Sequence, residues 1–221
     1  MNTELARFNM IEQQIRPWEV LDPDVLALLS RVRREDFVPP AARALAFFDT
    51  EIPLAEGGRD GRIMLSPKVE ARLLQALQLS RTDRVLEIGS GSGYMAALLA
   101  HQCRHVLSLE IDPQLAEIAG RNLQRAGLTH AQVRRADGSG GWPADAPFDA
   151  ILLSGSVAEV PQILLDQLKP DGRFVAIVGD LPVMRALRLT QVGASQFTRT
   201  ELFDTVAPRL RGFAEPTAFH F

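Results

Sequence analysis

The run Val85-Leu86-Glu87-Ile88-Gly89-Ser90-Gly91-Ser92-Gly93-Tyr94 constrains this chain more than any other stretch. Its first four residues read as a buried strand. Glycines at alternate positions then let the backbone turn sharply and come close to a ligand, where a Cβ would intrude. A helix opens directly after the loop, so backbone N–H groups are available at the end of the strand. That combination points to a site for a nucleotide-type cofactor. A dinucleotide site asks for G-x-G-x-x-G, and Tyr94 stands where the third glycine of that pattern belongs. The spacing here is E-x-G-x-G-x-G, with Glu87 just ahead of Gly89.

Around this loop the chain alternates strand and helix. Residues 84–88, 105–109, 131–135, 150–153 and 173–178 read as strands, and residues 94–102, 113–126 and 161–168 as the helices between them. The pattern predicts a parallel sheet covered on both faces. Lys169-Pro170-Asp171-Gly172 reads as a turn before the last of those strands. Residues 186–191 and 198–206 are joined by a loop containing Gly193, too short for a helical crossover, so they are expected to form an antiparallel hairpin. Upstream, residues 4–15 form an amphipathic stretch stopped by Pro17, Asp22-Pro23 caps a second helix, and residues 41–48 add a short third. A glycine- and charge-rich loop spans residues 56–62, after which Ser66-Pro67 opens another helix, with Ser66 expected as its N-cap. The expected organisation is a helical cap and substrate-side segment over residues 1–80 and a cofactor-binding core over residues 81–221, together one compact unit.

Length and composition bound the function. A chain of 221 residues that is 46% hydrophobic can bury one large core. Its net charge of −3, with basic residues scattered, offers no stripe for a polyanion and argues against nucleic acid as a partner. A single cysteine, Cys103, excludes an intrachain disulfide and a thiolate metal cluster, and it reads as a small packing residue. His101, His105, His130 and His220 share no ligand spacing, so no metal is expected. No stretch approaches the roughly 18 apolar residues of a membrane span, and the first residues lack a targeting pattern, which makes the cytoplasm the expected location and a membrane no partner. Trp18 reads as an anchor for the N-terminal extension. The aromatic ending, residues 213–221, is expected to cover the protein's own sheet, with docking on a second subunit as the alternative; a monomer or weak homodimer is expected.

Other candidate residues sit at strand ends. Glu110 follows the glycine loop by about twenty residues, where a carboxylate can accept hydrogen bonds from both hydroxyls of a ribose. Ile111 lies beside it. Ser154, after the fourth strand, sits at the carboxyl edge of the sheet, where open α/β folds bind ligands. Glu87 and Ser90 belong to the loop itself, with Glu87 expected to order it rather than to transfer a proton. Asp137-Gly138 follows the third strand and is either a turn or a ligand contact.

The E-x-G-x-G-x-G pattern resembles motif I of the class I S-adenosylmethionine-dependent methyltransferases. Over nearly its full length the chain resembles the protein-L-isoaspartate O-methyltransferases. The matching segments are Val32-Arg33-Arg34-Glu35-Asp36-Phe37-Val38-Pro39, Asp49-Thr50-Glu51-Ile52-Pro53-Leu54, residues 86–94, Ala136-Asp137-Gly138 and Ala146-Pro147-Phe148-Asp149-Ala150-Ile151. The resemblance implies a Rossmann-like α/β fold with a seven-stranded, mostly parallel sheet, a C-terminal antiparallel hairpin and an N-terminal helical extension. It implies S-adenosyl-L-methionine as cofactor and S-adenosyl-L-homocysteine as product. The residues it assigns to the cofactor are Glu87, Gly89, Ser90, Gly91, Gly93, Glu110, Ile111, Asp137, Gly138 and Ser154, with Asp137 accepting from the adenine amino group. The implied activity is methyl transfer to the free carboxylate of an isoaspartyl residue in a damaged protein. An ionised carboxylate is already nucleophilic at neutral pH, so alignment and exclusion of water can supply most of the acceleration without a catalytic base.

The chain departs from that family over residues 61–67. Where the family carries GQTISQP, this chain has Gly61-Arg62-Ile63-Met64-Leu65-Ser66-Pro67, so a threonine becomes Ile63 and the key serine becomes Leu65. Ser66 is the remaining hydroxyl and the only candidate catalytic side chain in the segment. Arg62 and Lys68 flank it, either as solvated cations or as attractors of an acidic substrate. Two further functions therefore stay open: the same cofactor with a different carboxylate or a small-molecule acceptor, and a catalytically silent cofactor-binding homologue.

Overall fold

The structure is a computed structural model that describes residues 2–55, 61–193 and 196–215. At its centre is a seven-stranded sheet of β3 (Arg84–Ile88), β4 (His105–Glu110), β5 (Ala131–Arg135), β6 (Phe148–Val157), β7 (Leu168–Asp180), β8 (Val183–Gly193) and β9 (Gln196–Thr205), in the order β5-β4-β3-β6-β7-β8-β9. β5, β4, β3, β6 and β7 run parallel, and β8 and β9 each pair antiparallel with the preceding strand. A small antiparallel ribbon pairs β1 (Ile52–Pro53) with β2 (Ile63–Met64). The continuous apolar runs of β3, β6 and β7 are buried because helices cover both faces of the parallel part. The strand order reverses between β4-β3 and β6-β7, which opens a crevice at their carboxyl ends and places the glycine loop on its floor.

Six α-helices are described: α1 (Thr3–Met10), α2 (Pro23–Arg31), α3 (Pro67–Leu77), α4 (Tyr94–Ala100), α5 (Pro113–Arg125) and α6 (Gln162–Leu165). On one face, the N-terminal helices, α3, α4 and α5 share a core that includes Ile15, Leu29, Leu73, Leu98 and Val175. On the other, Leu86, Phe148, Leu164 and Phe174 pack together with Trp142 and Phe213 against them. Asp22 caps α2 by accepting from the N–H groups of Asp24 and Val25 at 2.8 and 3.3 Å. The Gln75 side chain joins α3 to the chain ahead of α2, accepting from the Leu21 and Asp22 N–H groups and donating to the Glu19 carbonyl.

Several local expectations change. The first amphipathic stretch is α1 followed by a π-helical turn, Ile11–Ile15, and a 3-10 turn, Arg16–Trp18, so Pro17 lies inside the last turn and Glu19, at φ 63°, ends it. A proline in a first turn gives up an N–H that has no partner there in any case. The short third helix is a 3-10 helix, Pro40–Phe47. Residues 169–172 are not a free turn: they form an irregularity within β7, with Asp171 at φ 62°, and the helix before them shrinks to the four residues of α6. Ser66 occupies the N-cap position of α3, but its hydroxyl makes no capping bond; Pro67 at the first helical position and the Ser66 carbonyl, which accepts from the Glu70 N–H at 3.1 Å, set the start instead. Lys68 is not a solvated cation, since it pairs with Asp49 at 2.7 Å and lies 3.9 Å over the Trp18 ring. Most of the loop over residues 56–62 and the aromatic ending beyond residue 215, including His220, lie outside the described residues. No described helix is long and apolar enough to cross a membrane.

Candidate active site

The glycine loop leaves β3 with Gly89 and Gly91 at φ 93° and 52°, a region that side-chain-bearing residues rarely adopt. This aims the Gly91 N–H at the Glu110 carboxylate, 2.9 Å away at the end of β4. The other Glu110 oxygen accepts from the Asp112 N–H at 3.0 Å. A carboxylate offers about four acceptor positions, so two remain on Glu110 for a vicinal diol while the backbone holds the group in place. Gly89, Gly91, Glu110, Ile111 and Gly138 line one cavity, together with Ile88, Leu109, Leu115 and Ala136. The chemistry of this lining suits a nucleoside, with apolar Ile88, Leu109 and Ile111 beside the anchored Glu110 carboxylate. Among the described residues no group of three or more His, Cys, Asp or Glu side chains is placed to hold a metal ion.

The remaining sequence candidates stand behind that cavity or at its rim. Glu87 is fully buried and joins three strands: it accepts from the Ser108 hydroxyl at 2.5 Å and the Ser154 hydroxyl at 2.8 Å. Ser90 shares a 2.5 Å hydrogen bond with Ser108. Gly93 begins α4. Asp137 is exposed, accepts from the Ser139 N–H at 2.9 Å and abuts Gly212, where an added Cβ would fall 2.4 Å from its carboxylate. Leu65 is buried, and its carbonyl accepts from Arg34 at 2.6 Å. The Ser66 hydroxyl is half-buried and, like Leu65, is not among the residues lining the cavity. Ile63 does line it.

Burial pushes the Glu87 carboxyl up to about 7, with Ser108 and Ser154 pulling it part of the way back and Glu110 pushing it up again. Its folded value lies above its unfolded one, so the stability it confers is fully present below pH 4.5 and is lost as the pH rises towards 7. Glu87→Gln is therefore expected to gain on the wild type by on the order of 1–3 kcal/mol between pH 5 and pH 8. Urea denaturation midpoints at the two pH values test this; a variant that tracks the wild type at both refutes it.

The sequence offered no signal for the segment that closes the site. After β9 the chain folds back along the carboxyl edge of the sheet: the Ser156 N–H donates to the Pro208 carbonyl at 2.8 Å, and the Leu210 N–H to the Ser156 carbonyl at 2.9 Å. Leu210 fits between two glycines, its Cδ2 lying 2.8 Å from where a Cβ on either Gly89 or Gly155 would stand. Arg209 pairs with Asp180 and donates to the Gly179 carbonyl. Residues 209–211 thus form one wall of this cavity, and Arg209 and Arg211 also border a larger cleft shared with Glu51, Ile63, Leu181, Met184 and Val206. Asp112 caps α5 and faces both Arg62, at 3.6 Å, and Arg211, at 3.5 Å, so Arg62 is no solvated cation either. Burial raises the Asp112 pKa, but the Leu115 and Gln114 N–H groups and then the two arginines outweigh it and hold the carboxyl below its usual value.

The sequence profile of the protein-L-isoaspartate(D-aspartate) O-methyltransferase (PCMT) family matches residues 6–202. The chain belongs to that family. It is 41% identical over 196 residues to a protein-L-isoaspartate O-methyltransferase of Rhodopseudomonas palustris, covering 88% of each chain. It is 44% identical over 180 residues to one from Myxococcus xanthus, covering 78% of this chain and 83% of that protein. A solved protein-L-isoaspartate O-methyltransferase superposes with a TM-score of 0.79 at 24% identity, over 95% of this chain and 66% of that one. A Plasmodium falciparum structure described as a PCMT in complex with S-adenosyl-L-homocysteine superposes with a TM-score of 0.76 at 20% identity, over 96% and 99%. These two likenesses establish the α/β fold. Membership places the departures at Ile63 and Leu65 within a family member, one of them on the cavity wall and the other buried beside Arg34.

Proposed function

We propose that this protein is an S-adenosylmethionine-dependent O-methyltransferase that esterifies the free carboxylate of isoaspartyl residues in damaged proteins. The observation that carries this is the glycine loop bonded to Glu110 beside an apolar lining, in a chain 41% identical to a protein of that name over 88% of its length. When bound, the cofactor supplies the methyl group to be transferred. The chain's own residues then have defined parts. Glu110 accepts the ribose hydroxyls, Ile111 and Gly138 flank the adenine, and Asp137 lies at the adenine end. The buried Glu87, with Ser154 and Ser90, stiffens the floor. Residues 81–221 supply most of the cofactor site, and residues 1–80 shape the acceptor side and lend Gly61, Arg62 and Ile63 to the cofactor cavity, in one compact unit acting in the cytoplasm as a monomer or weak homodimer. No side chain has to remove a proton from the acceptor, since its carboxylate is ionised at neutral pH. Holding it in line with the methyl group and excluding water are what the site contributes.

One observation favours a second reading. Ile63 presents an apolar side chain to both cavities and Leu65 is buried, so this segment offers the acceptor no hydroxyl apart from that of Ser66. A different carboxylate or a small-molecule acceptor would suit such a surface. Radiolabelled methyl transfer to matched isoaspartyl and aspartyl peptides separates the two. Isoaspartyl-selective turnover is the expected result; turnover on a cell extract with none on either peptide would establish the second reading instead.

A further inference from the structure

We propose that Asp112 is the latch of a two-armed lid, pairing with Arg62 on one arm and Arg211 on the other to hold both over the cofactor cavity and to set how fast the cofactor exchanges. The proposal rests on the cofactor reading above. Its geometry is specific: one Asp112 oxygen is committed to the α5 cap, accepting from the Gln114 and Leu115 N–H groups at 2.8 and 3.1 Å, while the other faces the two guanidinium groups. The latch is thus fixed to a helix and the arms come to it. Each arm carries a glycine next to its arginine, Gly61 at φ 85° and Gly212 at φ 90°, which gives each a place to swing.

With both arms down, the cavity measures about 80 Å³, whereas sites for small molecules run from about 300 Å³ upwards. Leu210, seated between Gly89 and Gly155, occupies part of the space at the end of β3. Admission of a nucleoside cofactor therefore requires the C-terminal arm to lift, which breaks the Leu210 N–H bond to the Ser156 carbonyl and parts Arg211 from Asp112. Partly exposed ion pairs are weak enough to open and strong enough to bias closure. Asp112 acts here through Arg62 and Arg211 and is a positioning residue.

Surface plasmon resonance on the immobilised full chain, with S-adenosylhomocysteine as the probe, tests the latch. Asp112→Asn keeps a side chain that caps helices well and removes the charge. It is expected to raise the dissociation rate about three- to tenfold, the size that two exposed ion pairs allow. Association should accelerate with it, so the equilibrium constant moves less than either rate. Arg62→Gln and Arg211→Gln should each give part of the effect, and in the double arginine variant Asp112→Asn should add nothing. Rates unchanged by Asp112→Asn, or raised equally in the double arginine background, would overturn the latch alone. A folded wild type that does not bind the probe would overturn the cofactor reading and the latch with it.

Discussion

Replacing Arg34 by alanine is expected to destabilise the protein by about 3–5 kcal/mol, the range for stripping one partner from a buried ion pair. Arg34 is 1% exposed and reaches three elements at once: Glu70 of α3 at 3.3 Å, the Ala46 carbonyl at 3.1 Å and the Leu65 carbonyl at 2.6 Å. Its guanidinium also lies 5.8 Å from the Tyr94 ring centroid. Burial holds the Glu70 carboxyl up at about 7, and Arg34 is what pulls it down. Without Arg34 that carboxyl rises further and stays protonated in the folded state to higher pH. The sign follows: Glu70 confers stability below its unfolded value that is lost as pH rises through the folded one, so the deficit of Arg34→Ala should be larger at pH 8 than at pH 5. Denaturant midpoints at both pH values decide the matter, and a deficit below about 1 kcal/mol, or one greater at pH 5, would contradict the argument. Glu70→Gln in the same background should recover part of the loss, because an amide leaves no buried charge.

Gly91→Val should reduce affinity for S-adenosylhomocysteine by at least about 100-fold. A β-branched residue at φ 52° is strained, and its Cβ would meet Leu54 Cδ1 at 3.2 Å. Relaxing that strain swings the Gly91 N–H away from Glu110, so the loop and the ribose acceptor are lost together. Glu110→Ala reaches the same end from the other side, since hydrogen bonds to an ionised group contribute about 1.5–3 kcal/mol each. Glu110→Gln keeps acceptor capacity and should fall between Ala and wild type. Calorimetric titration measures all three, with thermal unfolding alongside to show that each variant is folded. Affinity within about threefold of wild type for both Gly91→Val and Glu110→Ala would mean that the ligand binds elsewhere.

Much of this architecture was legible locally. The apolar patterns located β3, β4, α4 and α5, because each buries an apolar run or stripe that is visible in the chain, while the edge strand β5 shows only the alternation of Ala131 and Val133 with polar residues. The sequence was less informative where tertiary contacts override local preference. Lys169-Pro170-Asp171-Gly172 has turn chemistry, yet it lies within β7 because pairing between Phe148 and Leu168 starts the β6–β7 ladder ahead of it. Ser66 has the chemistry of a cap and sits at the cap position, but its side chain makes no capping bond. The positions of Arg62 and Lys68 could not be read at all, since Asp112 and Asp49, their partners, are remote in sequence.

The order of residues along the chain was enough to give the loop of alternating glycines, the acid at the end of the second parallel strand and the alternation that builds an α/β sheet. Each of these is a local property: a backbone region open mainly to glycine, a residue type at a strand end, a periodicity. Which of those residues share a cavity, and what closes it, follows from how the folded elements pack. Residues 207–212 carry no motif. They reach the site because Ser156 offers an N–H and a carbonyl at the edge of β6, because Gly89 and Gly155 leave room for Leu210, and because Asp112 attracts Arg211. Such contacts depend on shape and charge brought together from distant parts of the chain, which a linear pattern does not encode.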